Sequence, residues 1–294
     1  LYFLFFLFSR ADIMILNLLA PATLNLFLHI VGRRQNGYHE LQSVFVLVDL
    51  CDTISLSARN DPEVVRTGDI VGDPSKDLCV RAAKLLQQYT GSSVGATINV
   101  VKRIPTGAGM RGGSSDAATT LMGLRHLWNL HLTKDELMRL GLQLGADVPF
   151  FLLGTNAWVE GIGEKLIPIS IPSIPFAIIW PGVNQATGEI FSHPDLTRNT
   201  KYVTMSILDA AQQSGEWMRL GHNDLEPIVK IVNPEVNKLL TDLPQFRLTG
   251  SGSAVFAVMQ QDEADRVFDN LRSRTKHFSV KSLTIHPTLS ALSC

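Results

Sequence analysis

The stretch of sequence that decides the fold is a glycine-rich loop, Pro105-Thr-Gly-Ala-Gly-Met-Arg-Gly-Gly-Ser-Ser-Asp-Ala-Ala118. It follows Ala96 to Val101, which has the composition of a buried strand, and leads into a segment with apolar residues at helical spacing. Glycines leave the backbone amides bare, and a helix N-terminus adds roughly half a positive charge at the same place. A loop of this kind between a strand and a helix predicts a phosphate-binding site.

Three other interpretations of the loop compete with this one. Gly107-x-Gly109-x-x-Gly112 matches the dinucleotide fingerprint, but Asp135 and Glu136 open a helix where that fold places an acid at a strand end. A P-loop would end in Gly-Lys-Ser/Thr, whereas this loop ends in Gly-Gly-Ser-Ser. A glycine-rich connection needed only for tight packing is less favoured, because packing alone rarely requires four glycines within seven residues.

The two serines after the loop have two possible uses. Ser114 and Ser115 could cap the helix that follows, or they could turn a hydroxyl toward a phosphate or its Mg²⁺. For a metal ligand the sequence favours Ser115.

Length, composition and charge describe a globular protein of 294 residues, long enough for two domains. Lys and Arg number 26 against 27 Asp and Glu, and this balance argues against a nucleic-acid partner. Three cysteines without CxxC spacing argue against a disulfide framework and a structural zinc site, which favours the reducing cytoplasm. The uncharged run 13–32 contains Pro21 and several polar residues, so it predicts a buried strand and no membrane span.

Outward from the loop, strands and helices mix without strict βαβα alternation, which predicts an α+β fold. A capping box of Thr133 and Glu136 predicts a helix that ends near Leu144. Residues 1–13 are interpreted as an extension of doubtful reality. We expect the remaining chain to divide into an N-terminal domain at 14–160, which contains the glycine loop, and a C-terminal domain at 161–294. The other predicted segments are strands at Leu24–Val31, Ser43–Leu50, Asp52–Ala58, Ala177–Trp180 and Phe278–Leu283, and helices at Leu78–Gln88, Ser114–Leu130 and Glu263–Ser273.

Four motifs resemble those of the GHMP kinases, the family of galactokinase, homoserine kinase and the mevalonate and phosphomevalonate kinases. They follow one another along the chain in the same order as in that family. The glycine loop resembles the family's second motif. The other three are Ala20-Pro-Ala-Thr-Leu-Asn-Leu26, Leu144-Gly-Ala-Asp-Val-Pro-Phe150 and Leu248-Thr-Gly-Ser-Gly-Ser-Ala-Val-Phe256. The resemblance covers about residues 14 to 287 and implies the two-domain GHMP kinase fold with its ligand cleft between the domains.

Two further stretches are similar to the family members that act on a cytidine-diphosphate alcohol. These are Gly37-Tyr-His-Glu-Leu-Gln42 and Pro181-Gly-Val183 with Thr187 and Phe191. The implied function is an ATP-dependent kinase that phosphorylates a free hydroxyl of such a substrate in the non-mevalonate route to isoprenoids. ATP and Mg²⁺ are the implied cofactors. The protein would be a monomer or homodimer without nucleic-acid or membrane partners.

The resemblance also implies a role for each residue. Asp147 would accept the proton of the substrate hydroxyl. Tyr38 and Phe191 would stack on the cytosine ring and His39 would hydrogen-bond it. The remaining substrate contacts are expected at Asn25, Gly250 and Gly252, and the ATP contacts at Pro105, Thr106, Gly107, Ala108, Gly109, Met110, Arg111, Gly112, Gly113, Ser114 and Ser115.

Taken singly, these residues have ordinary structural interpretations. Asp147 could be a turn aspartate at a helix end, and Tyr38 and Phe191 could be core aromatics. His39 could be a solvated loop histidine. Only their occurrence together favours the functional assignment.

Two residues depart from the family pattern. Thr23 occupies the position of a lysine whose ammonium lies near the aspartate and stabilises phosphoryl charge. Arg111 occupies a glycine position, where it either points outward or meets phosphate oxygens with its guanidinium group. These departures leave two alternatives open: a catalytically impaired relative that still binds nucleotide, and a sibling GHMP kinase with another alcohol substrate.

Overall fold

The computed structural model describes residues 15–271 and 275–292, so the predicted extension at 1–13 lies outside the described residues. Within this part of the chain, two β-sheets are flanked by helices, in agreement with the predicted α+β class. No helix of the described ranges is sufficiently long and apolar to cross a membrane.

The first sheet contains six strands in the order β3-β4-β2-β5-β6, with β1 paired to β2 outside this path. Its pairs are antiparallel except β3 and β4, which are parallel. The strands are β1 (Ile15–Arg33), β2 (His39–Arg59), β3 (Val64–Gly68), β4 (Gly95–Val101), β5 (Ala157–Gly161) and β6 (Lys165–Pro168).

The second sheet is antiparallel, with the order β10-β7-β9-β8. Its strands are β7 (Pro175–Trp180), β8 (Arg247–Leu248), β9 (Val255–Val258) and β10 (Lys276–Lys281). Residues 169–174, which include Pro172 and two serines, join the two sheets.

Ten α-helices lie in the described part of the chain, with short 3₁₀ helices at Pro74–Lys76 and Trp217–Arg219. The α-helices are α1 (Leu78–Thr90), α2 (Gly112–Leu127), α3 (Lys134–Leu144), α4 (Val148–Leu153), α5 (Thr187–Ser192), α6 (Ser206–Ser214), α7 (Glu226–Val232), α8 (Pro234–Asp242), α9 (Gln261–Phe268) and α10 (Pro287–Leu292).

Helix α2 packs closely on β1 and β2. Its residues Ala118, Leu121 and Leu124 are buried in one hydrophobic core with residues of both strands. A Cβ added at Gly123 would lie 2.4 Å from Leu56 Cδ1, so this glycine permits the close approach of helix and sheet. This packing fixes the position of the helix start, which is the end of the glycine loop.

A second core joins the two sheets and anchors the glycine loop. Leu24 and Val46 of the first sheet and Phe256 of the second share it with Ala108 and Met110. The two loop residues are each 1% exposed. Because alternate loop residues are buried in this core, the intervening ones are held near the cavity described below.

Several predicted boundaries were wrong. The segments 43–50 and 52–58 form one strand, β2, because the chain continues through an irregularity opposite Pro21. Helix α2 begins at Gly112 and ends at Leu127, so Ser114 and Ser115 lie inside its first turn and neither caps it. The capping box of Thr133 and Glu136 is confirmed at the start of α3.

Candidate active site

A cavity of about 930 Å³ is lined by strands of the first sheet and by segments that connect the strands of both sheets. Its lining includes the loop 105–113 and Asp147 as well as Tyr38, His39, Phe191 and Gly250. Residues predicted from five separate stretches of sequence therefore meet in one place. We call the part near Asp147 the loop end of the cavity and the part near Tyr38, His39 and Phe191 the aromatic end.

The glycine loop is attached to the turn at 249–253 by backbone alone. The amide of Ala254 donates to the carbonyl of Ala108 at 3.1 Å, and the amide of Ser253 donates to that of Gly107. A Cβ at Gly109, where φ is +77°, would lie 2.4 Å from the carbonyl oxygen of Thr249. The two glycine-rich segments thus touch through atoms that leave no room for a side chain.

The start of α2 supplies free amides beside this contact. The first intrahelical bond runs from the amide of Ser115 to the carbonyl of Arg111, at 3.1 Å. The amides of Gly112, Gly113 and Ser114 precede it, so they have no carbonyl acceptor within the helix. Gly112 and Gly113 line the cavity. The loop end therefore has the amide donors and the helix dipole that favour a phosphate group.

Asp147 lies just before α4 and faces Arg111. Its side chain makes no capping bond to the helix. Instead, Asp147 Oδ1 accepts a hydrogen bond from Arg111 Nε at 2.8 Å. Oδ2 of Asp147 accepts no hydrogen bond from the described residues, so this oxygen is free to contact a ligand in the cavity.

Asn25 and Thr23 contact the same arginine from β1. Arg111 Nη1 donates to Asn25 Oδ1 at 2.6 Å and lies 3.4 Å from Thr23 Oγ1. The Asn25 side-chain amide donates to Ser43 Oγ at 2.8 Å, which orients its oxygen toward the arginine. The guanidinium carbon of Arg111 also lies 4.1 Å above the centre of the Phe45 ring. Of the two orientations left open for Arg111, the outward one is excluded.

A buried ion cluster at the foot of the loop was not predicted. Lys102 Nζ contacts Asp52 Oδ2 and donates to Asp116 Oδ2 at 2.6 Å. Asp52 Oδ1 also accepts from the amides of Arg103 and Ile104, which holds the chain where it enters the loop. In the sequence, the signal for Lys102 is its position as a charged residue directly after a predicted strand.

The protonation of this cluster depends on burial and on the close charges. Burial raises the pKa of Asp116, an effect that Lys102 opposes and Asp52 reinforces. Burial acts against the charge of Lys102, but the two carboxylates outweigh it and raise the pKa of the ammonium.

Two oxygen atoms at the start of α2 are suited to a metal ion. Ser115 Oγ and Asp116 Oδ1 are buried and have no hydrogen-bond partner among the described residues. Mg²⁺ prefers oxygen ligands and is commonly held by one or two protein oxygens together with substrate phosphates. Asp116 also lines the cavity, so the donor set at this place fits Mg²⁺.

At the aromatic end, the ring of His39 lies 5.2 Å from that of Phe191, tilted by 43°. Tyr38 is 60% exposed, whereas His39 is 9% exposed. The ring of Tyr38 is therefore available to a ligand in the cavity. Gly250, from the turn at 249–253, also lines the cavity, and Asn223 Nδ2 donates to its carbonyl at 2.8 Å.

Arg198 holds His39 and was also missed by the sequence interpretation. Its Nε donates to His39 Nε2 at 3.0 Å, and its remaining nitrogens donate to four backbone carbonyls. A guanidinium can only donate, so Nε2 of His39 accepts and the neutral ring carries its proton on Nδ1. Burial, then Arg198 and Arg33, lower the pKa of His39, which favours this neutral form.

Two models of known domains match the chain. The GHMP kinases N terminal domain matches residues 77–155, which include the glycine loop and Asp147. The GHMP kinases C terminal domain matches residues 207–277, which include the second glycine turn.

Curated proteins named 4-diphosphocytidyl-2-C-methyl-D-erythritol kinase are similar over most of their length. The one from Ralstonia nicotianae is 48% identical over 274 residues, which cover 91% of this chain and 94% of the relative. The one from Ralstonia pickettii is 46% identical over 285 residues, covering 95% and 98%.

Solved structures agree with this similarity. A crystal structure of 4-(cytidine 5'-diphospho)-2C-methyl-D-erythritol kinase is 32% identical, with a TM-score of 0.79 over 91% of this chain and 99% of that one. The mevalonate kinase of Methanococcus jannaschii is 15% identical, with a TM-score of 0.65 over 94% of this chain and all of that one, and it shares the fold.

Proposed function

The chain belongs to the GHMP kinase family and is an ATP-dependent phosphotransferase with an alcohol as acceptor, and from this premise we propose that its substrate is 4-diphosphocytidyl-2-C-methyl-D-erythritol. The reaction would serve the non-mevalonate route to isoprenoids, in the cytoplasm. One observation carries the proposal: a single cavity holds the bare amides of the loop, the carboxylate of Asp147 and the aromatic end.

The loop end is suited to positioning ATP. The free amides at the start of α2 would bind the phosphate oxygens, and the helix dipole adds to their attraction. Ser115 and Asp116 would hold Mg²⁺, which when bound supplies positive charge to the phosphates. Phosphoryl transfer depends mainly on such positioning and charge stabilisation.

Asp147 would act as the base. The substrate hydroxyl oxygen attacks the γ-phosphorus and forms the new P–O bond, and its proton passes to Oδ2 of Asp147. The bond between the γ-phosphorus and the bridging oxygen breaks, and ADP leaves with that electron pair. The products are ADP and the phosphorylated alcohol, and the proton on Asp147 is returned to water.

The aromatic end would recognise the cytosine. Tyr38 and Phe191 offer faces for stacking, which supplies affinity for any base. The Nδ1 proton of His39 would donate to an acceptor on the edge of the base, and that contact selects among bases. Because Arg198 occupies Nε2, the ring can present only its donor to the cavity.

A coupled assay of ADP release tests the proposal with a panel of alcohols: the cytidylyl compound, mevalonate, homoserine and galactose. We expect turnover with the cytidylyl compound and competitive inhibition by CDP. Turnover with another alcohol, together with no inhibition by CDP, would instead identify a sibling kinase. Tight CDP binding without turnover of any alcohol would instead identify a catalytically impaired relative, which is the alternative that Thr23 leaves open.

A further inference from the structure

Arg111 holds a backbone conformation that arginine rarely adopts. Its φ is +58°, and among the described residues Asn129 is the other non-glycine residue with a positive φ. The left-handed conformation is unfavourable for a residue with a side chain, because its Cβ comes too close to the following carbonyl oxygen. The Arg111 side chain must therefore make contacts that offset this cost.

The contacts hold the guanidinium on several sides at once. Nε and Nη1 donate to Asp147 and Asn25, and the planar group covers the ring of Phe45. The side chain of Arg111 is only 12% exposed. A guanidinium group so fixed is preorganised, which is the condition under which a charge stabilises a transition state most effectively.

One nitrogen of the group remains available. A guanidinium has five N–H donors. Three are directed to Asp147, Asn25 and Thr23, and the two on Nη2 have no acceptor among the described residues. Arg111 lines the cavity together with Gly112 and Gly113, whose amides precede the first bonded amide of α2. The free donors and the bare amides thus belong to the same region of the cavity.

We propose that Arg111 is a catalytic residue that binds the transferring phosphoryl group through Nη2 and supplies the positive charge that Thr23 cannot. The inference rests on the proposed function. As the hydroxyl oxygen bonds to the γ-phosphorus and the bond to the bridging oxygen breaks, Arg111 remains protonated and stabilises the charge on the phosphoryl oxygens. The hydroxyl proton goes to Asp147, and ADP takes the electron pair of the broken bond.

In this site the positive charge is carried by Arg111 of the glycine loop and not by residue 23 of β1. Thr23 is fully buried and faces the guanidinium, so a lysine at 23 would place a second cation in the space that Arg111 occupies. Residues 23 and 111 are therefore coupled: a cation is required at one of them, and two together are unfavourable. Such coupling shows as strong non-additivity in a double-mutant cycle.

The test compares the variants Arg111→Gly, Thr23→Lys and the double variant in the ADP-release assay. Arg111→Gly suits the left-handed backbone, and we expect it to lower kcat about 100-fold to 1,000-fold, the loss typical of one oxyanion donor. Thr23→Lys alone is expected to lower kcat as well, and the double variant to recover most of the loss. Asn129→Gly is the matched control, since it relieves a left-handed residue outside this cavity and should leave kcat unchanged.

Chemical rescue separates catalysis from a purely structural role. Guanidinium ion added to Arg111→Gly should restore part of kcat, and tetramethylammonium at the same concentration should not. Wild-type kcat in Arg111→Gly would overturn the inference. A large loss with neither rescue by guanidinium nor recovery in the double variant would also overturn it, because Arg111 would then only hold Asp147 in place.

Titration with ATP and ADP keeps this test independent of turnover. Arg111→Gly should bind ATP about tenfold more weakly and ADP unchanged, because Arg111 addresses the γ-phosphate. If the protein phosphorylates no alcohol but Arg111→Gly still weakens the binding of ATP alone, the contact between Arg111 and the γ-phosphate is supported. The proposed function is then overturned. An equal loss for both nucleotides, or none, would overturn the inference whichever alcohol is the substrate.

Discussion

The loop end and the aromatic end of the cavity are built in different ways. At the loop end, positions are set by backbone contacts without room for a Cβ and by ion pairs that are largely buried. At the aromatic end, the ring of Tyr38 is mostly exposed, and among its three predicted base contacts only His39 is held by a side-chain hydrogen bond. Substitutions at the loop end should therefore affect kcat and stability, and those at the aromatic end should affect KM.

The largest effect should come from removing Asp147, the proposed base at the loop end. Asp147→Asn retains the shape and an acceptor for Arg111 but cannot take up the hydroxyl proton. We expect kcat to fall about 100-fold to 10,000-fold, the range for a general base, with little change in KM for the alcohol. Asp195→Asn, at a side chain that is 75% exposed, is the control. A kcat within a few-fold of wild type would remove Asp147 from the mechanism.

The second largest effect tests the close contact between the backbone of Gly109 and that of Thr249. Gly109→Ala would force a Cβ to within 2.4 Å of the Thr249 carbonyl oxygen at a left-handed position. Overpacking and the backbone conformation together should lower the free energy of unfolding by about 2–4 kcal/mol. Urea denaturation measures the change.

Gly91→Ala is the matched control for Gly109→Ala. Gly91 has a similar φ of +69° but nothing within 4 Å of an added Cβ. The Gly91→Ala variant should therefore show only the cost of the left-handed conformation, about 1–2 kcal/mol. Equal losses in the two variants would contradict the importance of the contact between the two glycine segments.

Base stacking at the aromatic end gives a smaller effect. Phe191→Ala should raise KM for the cytidylyl substrate by about 5-fold to 150-fold, which corresponds to the 1–3 kcal/mol of a stacked base, while kcat stays near wild type. Tyr38→Ala should act in the same direction, with Tyr89→Ala on α1 as its control. A fall in kcat with KM unchanged would erase the proposed difference between the two ends.

The smallest effect concerns the buried His286 and the free energy of unfolding at acid pH. Burial lowers the pKa of His286 to about 3, and its amide donates to the carbonyl of Gly154, just after α4. The imidazole of His286 takes up a proton near pH 6.5 in the unfolded chain but not in the folded protein. The stability that depends on the neutral imidazole is therefore full above pH 6.5 and is lost as the pH falls. One pH unit below 6.5 the loss from this group is about 1.4 kcal/mol.

Comparison with His286→Asn isolates the contribution of His286. Denaturation of wild type and variant between pH 8 and 5 should show a shallower decline in the variant. Parallel declines would show that His286 is not the acid-sensitive group.

The sequence predicted the parts of the site whose chemistry is local. The glycine loop, the capping box at Thr133 and the position of Asp147 between Gly145 and Pro149 can be recognised within a few residues. The course of β2 and the start of α2 could not be placed correctly, because the sheet and the packing of Met110 determine them over long range.

The unpredicted parts of the site all depend on residues distant in the chain. Lys102 meets Asp52 across 50 residues, and Arg198 meets His39 across 159. The inward direction of Arg111 follows from partners 86 and 36 residues away, at Asn25 and Asp147. A local pattern could identify each of these residues as charged, but it could not identify the partner.

The backbone junction between the two glycine segments has a consequence for motion. The carbonyls of Gly107 and Ala108 accept from the amides of Ser253 and Ala254, so the glycine loop is joined through main-chain atoms to the residues just before β9. Deuterium uptake at those two amides requires the two hydrogen bonds between the segments to open. Their exchange rates would therefore report the opening of this junction, and a ligand that contacts both segments should slow both amides together.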